Sequence, residues 1–256
     1  MFALSHNQVM SLVQIDWEAP DCPLKLNDTL TLADLKSSPL LKHTRLFLTH
    51  LDTDKGVKLT AKGNLNRKFV SQMLDKFPWP DYDVATTRRM HKVINEEDFM
   101  PLHFIRVICE VAKLTRKYKG HLKPSRLGRS LLDDDSAGLL MDELFTGVFQ
   151  HFNLAYMDRI GVEDNLTPQM GLILYGISKL ADNYVTPGEL ATLPIDAFKE
   201  EHHLWTPEVL FEMRVLKYLE WFGLMEKRKH AANDQRSRNY IYRKTALFDR
   251  FIRFEI

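Results

Sequence analysis

Two stretches of the chain end on one pattern: an apolar helical run closing on leucine, a hairpin rich in Lys and Arg, and a second short helical run. The first copy is Leu102 to Leu132 (LHFIRVICEVAKLTRKYKGHLKPSRLGRSLL) and the second is Val215 to Ile252 (VLKYLEWFGLMEKRKHAANDQRSRNYIYRKTALFDRFI). Ala112-Lys113-Leu114 stands in the first where Phe222-Gly223-Leu224 stands in the second. Helix, basic hairpin, helix is the order of a winged helix. A chain carrying it twice is expected to be mainly α with small β-hairpins, as two winged-helix-like domains. The order points to a class of partner and to no particular reaction.

With 256 residues the chain is long enough for two ordinary domains. The best linker is Asp133-Asp-Asp-Ser-Ala-Gly138, a charge run followed by small residues. It predicts an N-terminal domain over 1–135 and a C-terminal helical domain over 136–256. An apolar content of 45% with 27% charged residues is that of a globular chain. No apolar run approaches the ~18 residues of a membrane span, so no membrane partner is expected. The first residues (MFALSHNQVMSLVQIDWEA) lack a basic start, a continuous apolar core and a small-residue cleavage site. Cys22 and Cys109 are too few for a disulfide framework or a cysteine zinc site. The cytoplasm is the expected compartment.

The net charge of +1 hides a local asymmetry. Lys113, Arg116, Lys117, Lys119, Lys123, Arg126 and Arg129 lie between residues 112 and 130 with no acid among them. Lys227, Arg228, Lys229, Arg236, Arg238, Arg243 and Lys244 lie between 227 and 244 against Asp234 alone. Cations on protruding β-ribbons reach phosphates across a groove and position a protein without reading bases. Arg236 and Arg238, on the long polar loop from His230 to Asn239, have the reach to enter a minor groove. The opposing reading is that these are solvated edge charges that deter aggregation. The helices before the hairpins argue against base readout: residues 99–112 offer only His103, Arg106 and Glu110 as polar groups, and the helix from Pro207 carries Glu208, Glu212 and Glu220.

Local signals place the other elements. Residues 1–30 read as irregular with a short strand at Val13 to Trp17, and Thr31 to Asp34 opens a helical run interrupted at Pro39 and resumed through Leu51. Val57 to Leu59 suits a short strand, and Leu65, Phe69, Met73 and Leu74 mark one face of a helix over 64–77. Threonine as N-cap before proline recurs at Thr167-Pro168, Thr186-Pro187 and Thr206-Pro207. Phe104, Ile105, Ile108, Val111 and Leu114 are expected in one core, and Leu216, Leu219, Phe222 and Leu224 in the other. Trp205, Phe211, Tyr218, Trp221 and Phe222 have the spacing of a core face more than of a stacking platform.

Other chemistry finds little footing. Asp52-Thr-Asp54-Lys-Gly56 opens like a calcium loop, but Gly56 and Gly63 stand where ligands belong. His202-His203 beside Glu200 and Glu201 lacks a partner cluster with metal spacing, so no metal site is expected. No phosphate loop, dinucleotide fingerprint or nucleophile elbow is present, and no catalytic residue or cofactor is assigned.

The runs LTLADLKSSPLLKHTRLFL (30–48), KLTAKGNLNRKFV (58–70) and NEEDFMPLHFIRVICEVAKLTRKYKGHLKPSRLGRSLL (95–132) resemble a group of uncharacterised bacterial proteins, of a kind found beside plasmid-encoded open reading frames. In that group the hairpin ends in Leu-Thr before a basic-basic-Gly. Here Lys123-Pro124-Ser125-Arg126-Leu127-Gly128 replaces it, and Pro124 is expected to cut the second strand short. The resemblance implies no activity and no site residues. The leading expectation is a non-enzymatic, nucleic-acid-associated or regulatory protein that contacts DNA phosphates through two basic wings. The second is a module that binds itself or another protein, and an enzyme with an unrecognised site stands third.

Overall fold

The computed structural model describes residues 4–13, 15–17, 19–158, 160, 163–195, 197–198, 205–230 and 240–256. Two compact units divide the chain: Thr29–Gly147, and a second unit built from Met1–Asp28 together with Val148–Ile256. The N-terminal piece of the second unit carries α1 (His6–Met10) and β1 (Leu24–Leu26). The stretch Asp133–Gly138 holds a 3-10 turn, Asp134–Ser136, and the opening of a helix.

The first unit begins its regular structure at α2 (Pro39–Leu51). Pro39 starts this helix and does not interrupt it. The Ser38 hydroxyl accepts from the Leu41 amide at 3.2 Å, and proline's missing N–H costs nothing in the first turn. Leu40, Leu41, Phe47, Leu48 and Leu51 are buried at helical spacing. β2 (Val57–Lys58) follows, then α3 (Arg67–Leu74), capped by the Asn66 side chain and burying Phe69, Val70, Met73 and Leu74. After α4 (Val84–Met90), α5 (Met100–Val111) buries Leu102, Phe104, Ile105, Ile108 and Cys109; Val111 is half-buried, at the rim of the core and not inside it.

The chain leaves α5 through Lys113 in a left-handed backbone, φ 55°, with the Leu114 amide donating to the Cys109 carbonyl at 2.8 Å. β3 (Thr115–Tyr118) and β4 (His121–Pro124) form the first hairpin around Lys119 and Gly120, whose φ values of 47° and 74° are those of a tight primed turn. Pro124 is the last residue of β4 and pairs with Thr115. β2 adds to the other side of β4, giving the antiparallel order β2-β4-β3. α6 (Arg126–Ser130) then lies so close to the strand entry that a Cβ on Gly128 would sit 2.0 Å from the Leu114 carbonyl oxygen. α7 (Ala137–Thr146) closes the unit.

A widened π-helical turn, Gly147–His151, spans the boundary between the units, and the second unit continues with α8 (Met170–Leu180) and α9 (Pro187–Leu190). Thr186 caps α9 with Glu189 closing the box. Thr167 does not act as an N-cap. It lies inside a 3-10 turn, and Asp164 takes the capping role by accepting from the Leu166 amide at 2.9 Å and the Thr167 hydroxyl at 2.7 Å. α10 (Pro207–Phe211) runs through a π turn, Glu212–Leu216, into α11 (Lys217–Trp221). Phe211, Leu216, Tyr218, Leu219, Trp221, Phe222 and Leu224 are buried, whereas Trp205 is exposed.

β5 (Met225–Lys229) and β6 (Tyr240–Lys244) make the second hairpin, followed by α12 (Ala246–Phe251) and β7 (Ile252–Phe254). β7 pairs antiparallel with β1, Leu26 opposite Ile252 and Leu24 opposite Phe254. That pairing ties residues 24–26 to the C-terminus, and no strand forms among residues 13 and 15–17 where the sequence suggested one. The N-terminal strand forms instead at Leu24–Leu26, where β7 supplies its partner.

The two copies agree in detail. Ser125 and Thr245 each donate their amide to the strand-entry leucine, Leu114 or Leu224, at 2.8 and 2.9 Å. Gly223, φ 76°, occupies the left-handed position that Lys113 fills in the first copy. The equivalent residue of each second hairpin strand is met from outside the hairpin: Val57 of β2 pairs with Leu122, and Val185 makes an isolated bridge to Tyr242.

Candidate nucleic-acid interface

The register of the first hairpin sorts its side chains by face. Arg116 opposes Lys123, Tyr118 opposes His121, and His121 also opposes Lys58 of β2. Directly opposed residues share a face of the pleat, so these five lie together. The other face carries Thr115, Lys117, Leu122 and Pro124; Leu122 is fully buried, and Thr115 and Pro124 are buried beside it. One side of the three-stranded sheet therefore belongs to the core, and the other is a basic surface of Lys58, Arg116, Tyr118, His121 and Lys123 with Lys119 at its tip.

Like charges directly opposed across a strand pair destabilise it. Arg116 opposite Lys123 is such a pair. The equivalent pair of the second hairpin is Glu226 opposite Arg243, joined by an ion pair at 2.5 Å. One framework thus carries a neutralised pair in one copy and a repulsive pair in the other. Lys119 repeats the theme: a primed turn favours Asn or Gly at its first central residue, and a side chain in left-handed backbone costs about 1–2 kcal/mol. Positive charge stands here where hairpin stability alone would not place it.

The cations expected to form the first wing divide by their contacts. Arg116 and Lys119 are exposed and approach the Tyr118 ring, 5.7 Å and 5.3 Å from its centroid. Arg126 is exposed at the start of α6. Lys117 pairs with Glu110 at 3.3 Å, Arg129 with Asp52 at 2.8 Å, and Lys123 donates to the Asp54 carbonyl at 2.5 Å. His121 donates from Nδ1 to the Lys119 carbonyl at 2.9 Å, bracing the tip.

The second wing is more fully neutralised. Lys227 pairs with Glu220 at 2.9 Å, the counterpart of the Lys117–Glu110 pair. Arg228 lies 3.8 Å from the centre of the Tyr184 ring, with Arg243 4.8 Å from the same ring. Tyr184 donates to Glu226 at 2.8 Å, and this bond and the Arg243 guanidinium hold the Glu226 carboxyl below its usual range. Lys229 is exposed at the strand end. Arg236 and Arg238 lie outside the described residues, as do Glu200, Glu201, His202 and His203.

α5 presents no reading face. His103 and Arg106, two of its three polar groups, turn onto Glu96, which is itself buried: His103 Nδ1 donates to Glu96 Oε1 at 2.9 Å and Arg106 Nη1 at 3.0 Å, while the Leu65 amide donates to Oε2 at 2.5 Å. Arg106 also donates to the Gly63 carbonyl at 3.2 Å and to Glu110 at 2.8 Å. Burial raises the Glu96 pKa, but the His103, Leu65 and Arg106 contacts outweigh it and leave the carboxyl lower than usual. The cluster locks the loop that follows β2 onto α5, and so sets the edge of the basic sheet.

Sequence reasoning singled out the hairpin cations but not Lys58, Tyr118 or His121 as partners on one face. The alternation of residues 116, 118, 121 and 123 across a Lys-Gly turn was the available signal. Among the described residues no group of His, Cys, Asp and Glu has a metal-holding arrangement, and no helix is long and apolar enough to cross a membrane. Cys22 and Cys109 are buried free thiols.

Residues 36–137 match the family model described as the Y4jL N-terminal domain, a stretch lying within the first unit and containing the whole basic sheet. An uncharacterised protein, y4jL, of Sinorhizobium fredii is 35% identical over 95 residues, 37% of this chain and 43% of its own length. The chain therefore matches less than half of that relative. No solved structure matches the chain. The similarity links the first unit to an uncharacterised bacterial family.

Proposed function

We propose that the protein is a nucleic-acid-associated binding protein, its two units variants of a winged helix, and that the first wing contacts phosphates through the exposed face of the β2-β4-β3 sheet. Support for the winged-helix reading is the order helix, short extended segment, helices, hairpin, the segment being strand β2 paired with β4 in the first copy and a single bridge from Val185 to Tyr242 of β6 in the second. The observation that carries the binding reading is Arg116 opposed to Lys123 where the second copy has Glu226 opposed to Arg243. Buried α5 speaks against insertion into a major groove, so contacts are to the backbone and nearly independent of sequence. The second wing contributes less, since Lys227 and Arg243 are held by Glu220 and Glu226.

Binding of the full chain to random duplex and single-stranded DNA over a salt series tests this reading. Affinity falling steeply with salt, nearly equal across sequences, is the expected result. Absence of binding at low salt overturns it. The second reading, a module that binds itself or a protein, then stands, and sedimentation over a range of concentrations decides it. No catalytic group is assigned under either reading.

A further inference from the structure

Resting on the binding role just proposed, we infer that Tyr118 is a seat on which an unpaired base stacks, so that the wing prefers single-stranded nucleic acid over duplex. Four observations converge on this ring. Tyr118 is 49% exposed on the outer face of the hairpin, and its partner across the ladder is His121. Arg116 and Lys119 lie over the ring, 5.7 Å and 5.3 Å from its centroid, placing positive charge against the seat. Lys58 and Lys123 continue the basic surface across β2 and β4, Lys123 with its ammonium on the Asp54 carbonyl. The hairpin itself does not require an aromatic there, because the equivalent residue of the second copy is Arg228, which packs instead against Tyr184.

The preference for unpaired bases follows from the tip. A primed two-residue turn braced by His121 is short and stiff. To stack on Tyr118, a paired base would first have to leave its duplex, which costs on the order of 100-fold in affinity, whereas an unpaired base offers its face directly. Cations flanking an exposed aromatic ring are the arrangement of single-strand binding surfaces, where each stacked base contributes about 5- to 150-fold in affinity.

The test is fluorescence anisotropy of the full chain with a short labelled thymidine oligonucleotide, the same backbone lacking the bases, and a duplex of equal length. Unmodified protein, Tyr118→Leu and Tyr118→Phe are compared, with circular dichroism confirming that each is folded. Tyr118→Leu is expected to weaken binding of the thymidine strand by about 5- to 150-fold and to leave the duplex and the base-free strand unchanged. Tyr118→Phe is expected to bind as the unmodified protein does. Equal weakening of all three ligands, or of none, overturns the stacking seat while leaving the phosphate-binding role in place. Failure of the unmodified protein to bind any of them overturns both.

Discussion

Replacing Glu96 by Gln removes the charge from a carboxylate that accepts three donors inside the first unit. A glutamine oxygen can still take His103 and Arg106, but its amide then faces the Leu65 N–H, donor against donor. One buried amide is left without an acceptor, at about 1–3 kcal/mol, and the Arg106 guanidinium loses the buried one of its two carboxylate partners. Breaking a buried ion pair from one side costs about 3–5 kcal/mol. Glu110 remains beside Arg106 at 2.8 Å and is partly exposed, so the lower end, about 3 kcal/mol, is expected. Native-state hydrogen exchange on the full chain reads the loss locally, at the Leu65, Ile105 and Ile108 amides. The pH dependence follows from the same group. Glu96 is held below the ordinary carboxylate range, so its contribution is complete above about pH 4.3 and is lost as pH falls through the lower folded value. The acid limb of stability should flatten in Glu96→Gln. Unchanged exchange rates with an unchanged acid limb would refute the clamp, as would a double variant, Glu96→Leu with Arg106→Met, that is less stable than either single change.

Three further outcomes are expected. Lys113→Gly should stabilise the first unit by about 1 kcal/mol, because Lys113 has φ 55° where the second copy has Gly223; a lower urea midpoint would contradict this. Ile108→Ala should cost about 2–5 kcal/mol, since Ile108 is fully buried in α5, and an unchanged melting temperature would show otherwise. Gly128→Ala should displace α6 from the strand entry and sharply reduce stability, because the added carbon would meet the Leu114 carbonyl; an unaltered melting curve would show the helix free to shift.

What local chemistry dictates was legible in the chain. Lys119-Gly120 marked the turn of the first hairpin, the repeated helix and basic strands marked the second, and Thr186 with Glu189 marked a capped helix start. Features set by remote partners were not legible. Leu24–Leu26 becomes a strand because Ile252–Phe254 pairs with it, and nothing near residue 24 signals that. Thr167 has the neighbours of an N-cap, yet it lies inside a turn that begins earlier, its own amide and that of Leu166 donating to Asp164. At the candidate interface, composition showed two similar basic hairpins. Their difference lies in register: Glu226 and Glu220 neutralise the second, and a count of cations from Lys227 to Lys244 does not include either acid. Lys58 joins the first only because β2 pairs with β4, a contact across more than sixty residues of chain.

The central claim, that phosphate contact belongs to the outer face of the first sheet, is tested most directly by the salt dependence of duplex binding in paired variants. The full chain is compared with Arg116→Gln/Lys119→Asn and with Lys229→Gln/Arg243→Gln, plotting the logarithm of affinity against that of salt concentration. The first pair should flatten the slope by about 0.9 for each lost contact, and the second should flatten it distinctly less. Equal flattening by both pairs, or a slope untouched by the first, would contradict the account.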